Sequence, residues 1–397
     1  MSMTDLAGQQ NRLTHEEAVR RARALAPSIR ARAMRAEKER RIPRETVEEF
    51  VGAGLARLLT PERWGGYEIS HDAACDVVMA VSAACASTGW CCSFLNIHTW
   101  WLAQFPEEGQ HDVWRDTPDV NLAAVIAPQG NKAIAVDGGY RIGGRWSWAS
   151  GVDHCHWAIL TAVANDNETE KPYSRCFVIP RQDYAIEDTW FNVGMKGTGS
   201  NDVIVDDVFV PAHRSVALSD IHEGTTPGAK VNTGPIYGIP SASRKYELVA
   251  PALGAARGAF AEWLDWSCGR TVSATGQAVA ESAHIHIHVA EAETDLDAAA
   301  LIQQRNLDLI RNGPPIDMLT RAHILSSSAQ SMKLVCRAMD VLFHSSGSSG
   351  MRDESPIQRA WRDVHTIASH ISLNPDSGGM IRGRLLIAEG RARKGNR

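Results

Sequence analysis

The chain has 397 residues, 44% hydrophobic and 22% charged, with a formal net charge of -5 at pH 7. That length suits two or three cores, the composition is that of a globular protein, and the acidic balance argues against a nucleic-acid partner. No apolar run reaches the roughly 18 residues of a membrane span, residues 1–12 hold no signal-peptide core, and eight scattered cysteines read as reduced thiols, so a cytoplasmic protein with no membrane segment and no metal site is expected.

Thr14 and Glu17 have capping-box spacing, and Ala18, Ala22, Leu25, Ile29, Ala33 and Ala36 follow at helical period. Pro27 should kink or divide this helix. The basic run from Arg30 to Arg44 reads as a solvated helix face. Ile42-Pro43 opens a second helix toward Leu58, weakened at Gly52 and Gly54, and a turn covers 61–67. Helices over 70–86 and 88–104 come next. The second carries Trp90, Cys91, Cys92, Asn96, His98, Trp100 and Trp101 in a sequence apolar on nearly every side, which marks a buried helix. Asn96 and His98 on it must each find a partner or a cavity. Spacing alone favours satisfied core side chains.

From about Val120 the texture changes to short β-rich runs, at 122–126, 140–148, 157–164, 175–179, 184–188 and 202–210. Their spacing predicts an antiparallel barrel or sandwich of about 100 residues, with Asp137-Gly138-Gly139 as a hairpin turn. Gly197-Thr198-Gly199 imitates a dinucleotide loop, but Asp202 stands where the third glycine belongs and the segment precedes a strand instead of following one. A loop over 224–240 leads to long helical patterns at 246–266, 277–311, 316–345 and 356–372, the last closed by Pro375. His284, His286 and His288 spread around a helix, so a zinc site is not expected. His370 is placed at a helix C-terminus, where the macrodipole favours positive charge, and His365 on the same helix would point roughly 140° away. The reading is α+β, mainly α: a helical domain over 1–118, a β-barrel or sandwich over 119–232 and a four-helix bundle over 233–397.

Several phrases carry a resemblance: Gly54-Leu55 with Pro61-Glu62-Arg63-Trp64-Gly65-Gly66, Trp146-Ser147-Trp148-Ala149-Ser150-Gly151, the run from Gly194 to Asp202, Gly347-Ser348-Ser349-Gly350, Pro356-Ile357-Gln358-Arg359 and Arg362-Asp363. In this order the chain resembles the acyl-CoA dehydrogenase fold along essentially its whole length. Where many dehydrogenases carry a catalytic glutamate, about two helical turns beyond the Arg-Asp pair, this chain has His370 and Ile371. That substitution resembles the flavin-dependent monooxygenase branch, the oxygenase components of two-component aromatic hydroxylases.

The resemblance implies the following roles. Trp148 packs on the flavin ring, Ser150 bonds its N5 edge, and Thr198, Gly347 and Gly350 complete the cofactor site. Trp90, Asn96 and His98 meet the substrate, with Asn96 and His98 orienting a phenolic hydroxyl. His370 takes the phenolic proton while a C4a-hydroperoxyflavin delivers oxygen, and Trp90, Trp148 and Phe177 exclude water. Reduced FMN or FAD comes from a separate NAD(P)H:flavin reductase, O2 is the oxidant, the substrate is a small aromatic molecule, and the assembly is a homotetramer. Two other activities remain open at this point: an acyl-CoA dehydrogenase with a carboxylate base from elsewhere, and a flavin oxygenase acting on nitrogen or sulfur.

Overall fold

The computed structural model describes residues 13–165, 172–271, 275–313 and 315–395; residues 1–12, for which the sequence predicts no signal-peptide core, lie outside them. Helix α1 (His15–Glu39) starts at Thr14, whose hydroxyl accepts from Glu17 N at 3.2 Å. Only half of the capping box forms, because Arg20 and Arg21 draw the Glu17 carboxylate away at 2.7 and 2.8 Å. Pro27 does not divide the helix. Ala18 and Ala22 before it and Ile29 and Ala33 after it are buried in one core, and that shared burial outweighs one missing backbone bond. Helix α2 (Arg44–Gly52) stops short of Leu58, since Gly54 takes φ +75°, a conformation open to glycine.

Helices α3 (His71–Ser82), α4 (Ala86–Leu102) and α5 (Glu107–Trp114) complete the first block. Every residue of α4 except Phe94 is buried. It crosses α3 so closely that a Cβ on Gly89 would stand 1.8 Å from Ser82 Oγ. Cys92, Leu95, Ile97 and Trp100 of α4 join the core shared with the sheet, while Ala86 and Trp90 join the core of the C-terminal bundle. The helix is therefore a wall common to both.

The sheet holds β1 (Leu122–Val125), β2 (Lys132–Val136), β3 (Gly139–Ala149), β4 (Trp157–Asn165), β5 (Tyr173–Pro180), β6 (Ala185–Glu187), β7 (Asn201–Pro211) and β8 (Ser215–Ala217), in the order β6-β7-β3-β2-β4-β5-β8. It is mixed, not purely antiparallel: β1 and β2 follow each other along one edge of β4, both parallel to it. The Asp137-Gly138 turn joins β2 to β3, pairing Val136 with Gly139. Strand β2 escapes sequence reading because only its Ala133 is buried, so no apolar alternation announces it.

Beyond the sheet, α6 (Leu218–Glu223) and α7 (Pro227–Val231) interrupt the segment read as loop. The bundle comprises α8 (Tyr246–Cys268), α9 (Ala283–Ile310), α10 (Met318–Ser345), the single turn α11 (Gly347–Gly350), α12 (Pro356–Ala368) and α13 (Pro375–Gly395). Trp263, Leu296, Met332, Met339, Val364 and Ile367 share its core. The architecture is α+β and mainly helical, as expected. Among the described residues, no helix is long and apolar enough to cross a membrane. One boundary matters for chemistry: α12 ends at Ala368, and His370 (φ -62°, ψ 131°) is the N-cap of a 3-10 turn over Ile371–Leu373. The predicted continuation to Ser372, and with it the 140° relation to His365, does not occur.

Candidate active site

Trp90, Phe94 and His98 stand four residues apart on α4 and so share one face. Their rings form a ladder, 4.7 Å from Trp90 to Phe94 and 5.2 Å from Phe94 to His98. The His370 ring lies 6.0 Å from Trp90, across from that ladder. On the sheet side, the β3–β7 register slips between Trp146 and Ala149, a bulge that puts Trp148 at φ +74° and leaves it 66% exposed. Gln129 pins the bulge from both sides, accepting from Ser147 N at 2.9 Å and donating to Ser147 O at 3.2 Å.

Beside Trp148, Ser150 heads a chain of hydroxyls. Trp90 Nε1 donates to Ser150 Oγ at 3.1 Å, Ser150 and Ser200 hydroxyls meet at 2.8 Å, Ser200 and Thr198 at 2.7 Å, and Thr198 donates to Met195 O at 2.9 Å. The last group is held in place: Met195 has φ +53°, and its N–H donates to buried Asp363 at 2.5 Å. Burial raises the Asp363 carboxyl to about 6, against the opposing effects of the Met195 N–H and Arg362. A buried carboxyl with one firm donor is a structural clamp here, which gives the Arg362-Asp363 pair a physical purpose.

The two histidines beside the ring ladder present opposite nitrogens. His98 Nδ1 faces Leu122 O at 2.6 Å; a carbonyl only accepts, so Nδ1 carries the proton and Nε2 is left with a lone pair. His370 Nδ1 accepts from Ser372 N at 3.2 Å, so the neutral ring carries its proton on Nε2. Burial pushes both down to about 4; Lys245 adds to the effect at His370, while the bond to Leu122 O opposes it at His98. The expectation that a helix end would favour a charged His370 thus gives way to desolvation and a neighbouring cation, which hold it neutral.

Other expected residues fall elsewhere. The Asn96 amide is spent on the backbone: Oδ1 accepts from Leu58 N at 2.8 Å, and Nδ2 donates to Leu55 O at 2.8 Å and Cys92 O at 3.0 Å. It ties α4 to the 55–58 turn and has no donor left for a phenol. Phe177 is fully buried in the sheet core against Tyr140 and makes no ring contact with the Trp90–Phe94–His98 ladder. Thr198 lies two hydroxyls behind Ser150. Gly347 (φ +60°) and Gly350 sit in α11, and no hydrogen bond joins them to the Ser150 chain. His365 bonds Asp340 at 3.0 Å and packs on Trp361. Among the described residues no group of three ligating side chains could hold a metal. Phe94, Ser200, Met195 and Lys245 were not singled out from sequence; only Phe94 gave a signal, lying midway between Trp90 and His98.

An exposed indole beside a held hydroxyl fits the face and edge of a planar heterocycle such as flavin. Comparison with known proteins agrees. Residues 13–116 match the acyl-CoA dehydrogenase N-terminal domain and 246–375 the acyl-CoA dehydrogenase C-terminal domain. The chain is 35% identical over 367 residues to the flavin-dependent monooxygenase oxygenase subunit HsaA of Rhodococcus jostii (strain RHA1), covering 91% of this chain and 95% of that one. It is also 35% identical over 392 residues to the FADH(2)-dependent resorcinol hydroxylase oxygenase component of Rhizobium sp. (strain MTP-10005), 94% of each being covered. The crystal structure of 3-HSA hydroxylase from Rhodococcus sp. RHA1 superposes with a TM-score of 0.88 at 34% identity, over 94% of this chain and 97% of that one. With this fold, this ring ladder and these relatives, the chain belongs to the acyl-CoA dehydrogenase family, in its branch of flavin-dependent monooxygenase oxygenase components.

Proposed function

We propose that this protein is the oxygenase component of a two-component flavin-dependent monooxygenase and hydroxylates the ring of a small phenol. The observation that carries the reading is the pair of neutral histidines beside one aromatic ladder, a lone pair on His98 Nε2 and a proton on His370 Nε2. Reduced FAD or FMN, supplied by a separate NAD(P)H:flavin reductase, would activate O2 and hand one oxygen atom to the ring. Trp148 would stack on the flavin and Ser150 would meet its N5 edge, with Thr198 acting through Ser200. Gly347 and Gly350 are assigned to the cofactor on the resemblance, and Gly347 has open space beside its Cα.

Trp90 and Phe94, already in contact with each other, would line one side of the substrate ring and exclude water. The histidines divide the polar work. His98 Nε2 accepts the phenolic proton, and His370 Nε2–H donates to the oxygen being transferred. Transfer from a free phenol, with a pKa near 10, to an imidazole at about 4 is uphill by about 8 kcal/mol, so it cannot precede the chemistry. The proton moves as the ring attacks oxygen and its hydroxyl acidifies. This assignment gives His98 the base role that sequence reasoning gave His370, because the Ser372 N–H occupies the other nitrogen of His370.

The discriminating test compares a phenol with its methyl ether. The phenol should be hydroxylated while the ether only releases hydrogen peroxide; equal oxygenation of both would favour an oxygenase that needs no base. We further infer a cytoplasmic homotetramer. Leu301, Met318, Ile381 and Ile387 of the bundle are 63, 59, 41 and 60% exposed, apolar surface suited to packing between copies, and eight free thiols suit a reducing compartment.

A further inference from the structure

We propose that the hydroxyl chain behind Ser150 makes the site selective for reduced over oxidised flavin; the inference rests on the placement of Ser150 at flavin N5. The polarity of the chain is forced from its Met195 end, and the indole at the other end takes up one lone pair of Ser150. An indole Nε1–H can only donate and a carbonyl can only accept. Thr198 gives its single proton to Met195 O, so it must accept from Ser200; Ser200 in turn accepts from Ser150; and Ser150 accepts from Trp90. Every hydroxyl proton points along the chain toward Met195 O. Ser150 is left with one lone pair and no proton to offer.

Reduced flavin carries a hydrogen on N5 and oxidised flavin carries a lone pair there. A Ser150 that can only accept therefore bonds the reduced form and confronts the oxidised form with a second lone pair. To serve oxidised flavin, all three hydroxyls would have to reverse, and the Thr198 bond to Met195 O would be lost. Met195 O would retain Trp190 Nε1 at 2.9 Å and Thr198 N at 3.1 Å, so the penalty is one buried hydrogen bond. One such bond corresponds to about a fivefold to tenfold preference. The anchor cannot swing to meet a reversed chain, because Asp363 holds Met195 in its left-handed conformation.

The test measures dissociation constants for both forms of the flavin, oxidised by fluorescence quenching and reduced by anaerobic calorimetry, in wild type, Ser200→Ala, Thr198→Val and Ser150→Ala. Wild type should bind reduced flavin more tightly. Ser200→Ala frees the Ser150 proton, and Thr198→Val removes the end of the chain that fixes its direction. Each should tighten oxidised flavin so that the preference falls about fivefold to tenfold, lowering the midpoint potential of the bound flavin by about 20–30 mV. Ser150→Ala should instead weaken the reduced form. An unchanged preference in both Ser200→Ala and Thr198→Val, with Ser150→Ala still weakening reduced flavin, would overturn the chain's role alone. If Ser150→Ala alters neither affinity, the placement of flavin at Ser150 fails as well. Thr198→Val is isosteric and decides the matter should Ser200→Ala not fold, and a wild type without preference for reduced flavin overturns the proposal irrespective of any variant.

Discussion

Replacing His98 with asparagine separates its two nitrogens. The asparagine Nδ2 takes the place of Nδ1 and can keep the 2.6 Å bond to Leu122 O, so α4 stays attached to β1 and only the Nε2 lone pair is lost. Losing a general base costs about 100-fold or more in the step it serves. The parallel change at His370 behaves differently. In His370→Asn, Oδ1 can still accept from Ser372 N, and what disappears is one neutral donor, worth about 1 kcal/mol or roughly fivefold in rate. The assay is a single turnover: protein with reduced flavin and phenol is mixed with oxygenated buffer, and hydroxylated product and peroxide are quantified across pH. His98→Asn should lose about 100-fold of its hydroxylation rate near neutral pH and recover as the medium approaches the phenol's own pKa, near 10. A near-normal His98→Asn beside a His370→Asn that loses 100-fold and recovers at high pH would refute the tautomer argument and return the base to His370.

Ser150→Ala should fold normally yet send a larger share of the NADH consumed into hydrogen peroxide, because one hydrogen bond at the flavin edge, about 1 kcal/mol, is gone; unchanged coupling of NADH to product would remove Ser150 from the site. Asp363→Ala should lose about 1.5–3 kcal/mol of unfolding free energy with the charged acceptor of Met195 N, whereas Asp363→Asn keeps an acceptor and most of the stability. Equal denaturant midpoints for Asp363→Ala and wild type would show that the clamp carries nothing. Acid should destabilise the protein early: His98 and His370 titrate at about 4 when folded and near 6.5 when unfolded, so the unfolded chain binds more protons between these values and stability falls as pH drops through them. Each histidine contributes about 2 kcal/mol of loss between pH 7.5 and 5, partly offset by Asp363, whose raised pKa works in the opposite sense. Urea unfolding of His98→Asn should show about 2 kcal/mol less loss than wild type over that interval, and equal losses would mean that His98 is not held neutral by the fold.

The fold was legible where burial writes a period into the sequence. Helix α8 was expected over 246–266 and runs to Cys268, and six of the eight strands were located, because alternating or periodic apolar residues mark faces that must be covered. Strand β2 was not, since pairing rather than burial makes it. The end of α12 was misplaced for a local reason. Ser369 Oγ turns back to Thr366 O at 2.7 Å and His370 Nδ1 caps Ser372 N, so side chains compete with the helical ladder well before Pro375, the proline that looked like its terminator. At the site, Trp90, His98, Ser150 and His370 are named from sequence with roles that come from the resemblance, but the way the two histidines divide the proton work is not displayed there. Roles depend on which nitrogen is occupied and which way a hydroxyl points, and these are set by Leu122 O, Ser372 N and Met195 O, backbone groups that no motif displays. Asn96 takes a substrate role only from the resemblance; its spacing favours a satisfied core side chain, and its partners are indeed the backbone of Leu55, Leu58 and Cys92.

In the proposed function, one atom of dioxygen enters a phenol ring on this protein at the expense of reduced flavin. The direct measurement is turnover of a panel of phenols with isotopically labelled O2, NADH, flavin and a generic flavin reductase, read by product mass. A product heavier by a single labelled oxygen atom, formed only when reduced flavin and O2 are both present, is the predicted result. A protein that instead purifies with stoichiometric yellow flavin, reduces a dye with an acyl-CoA and leaves every phenol unlabelled would contradict it.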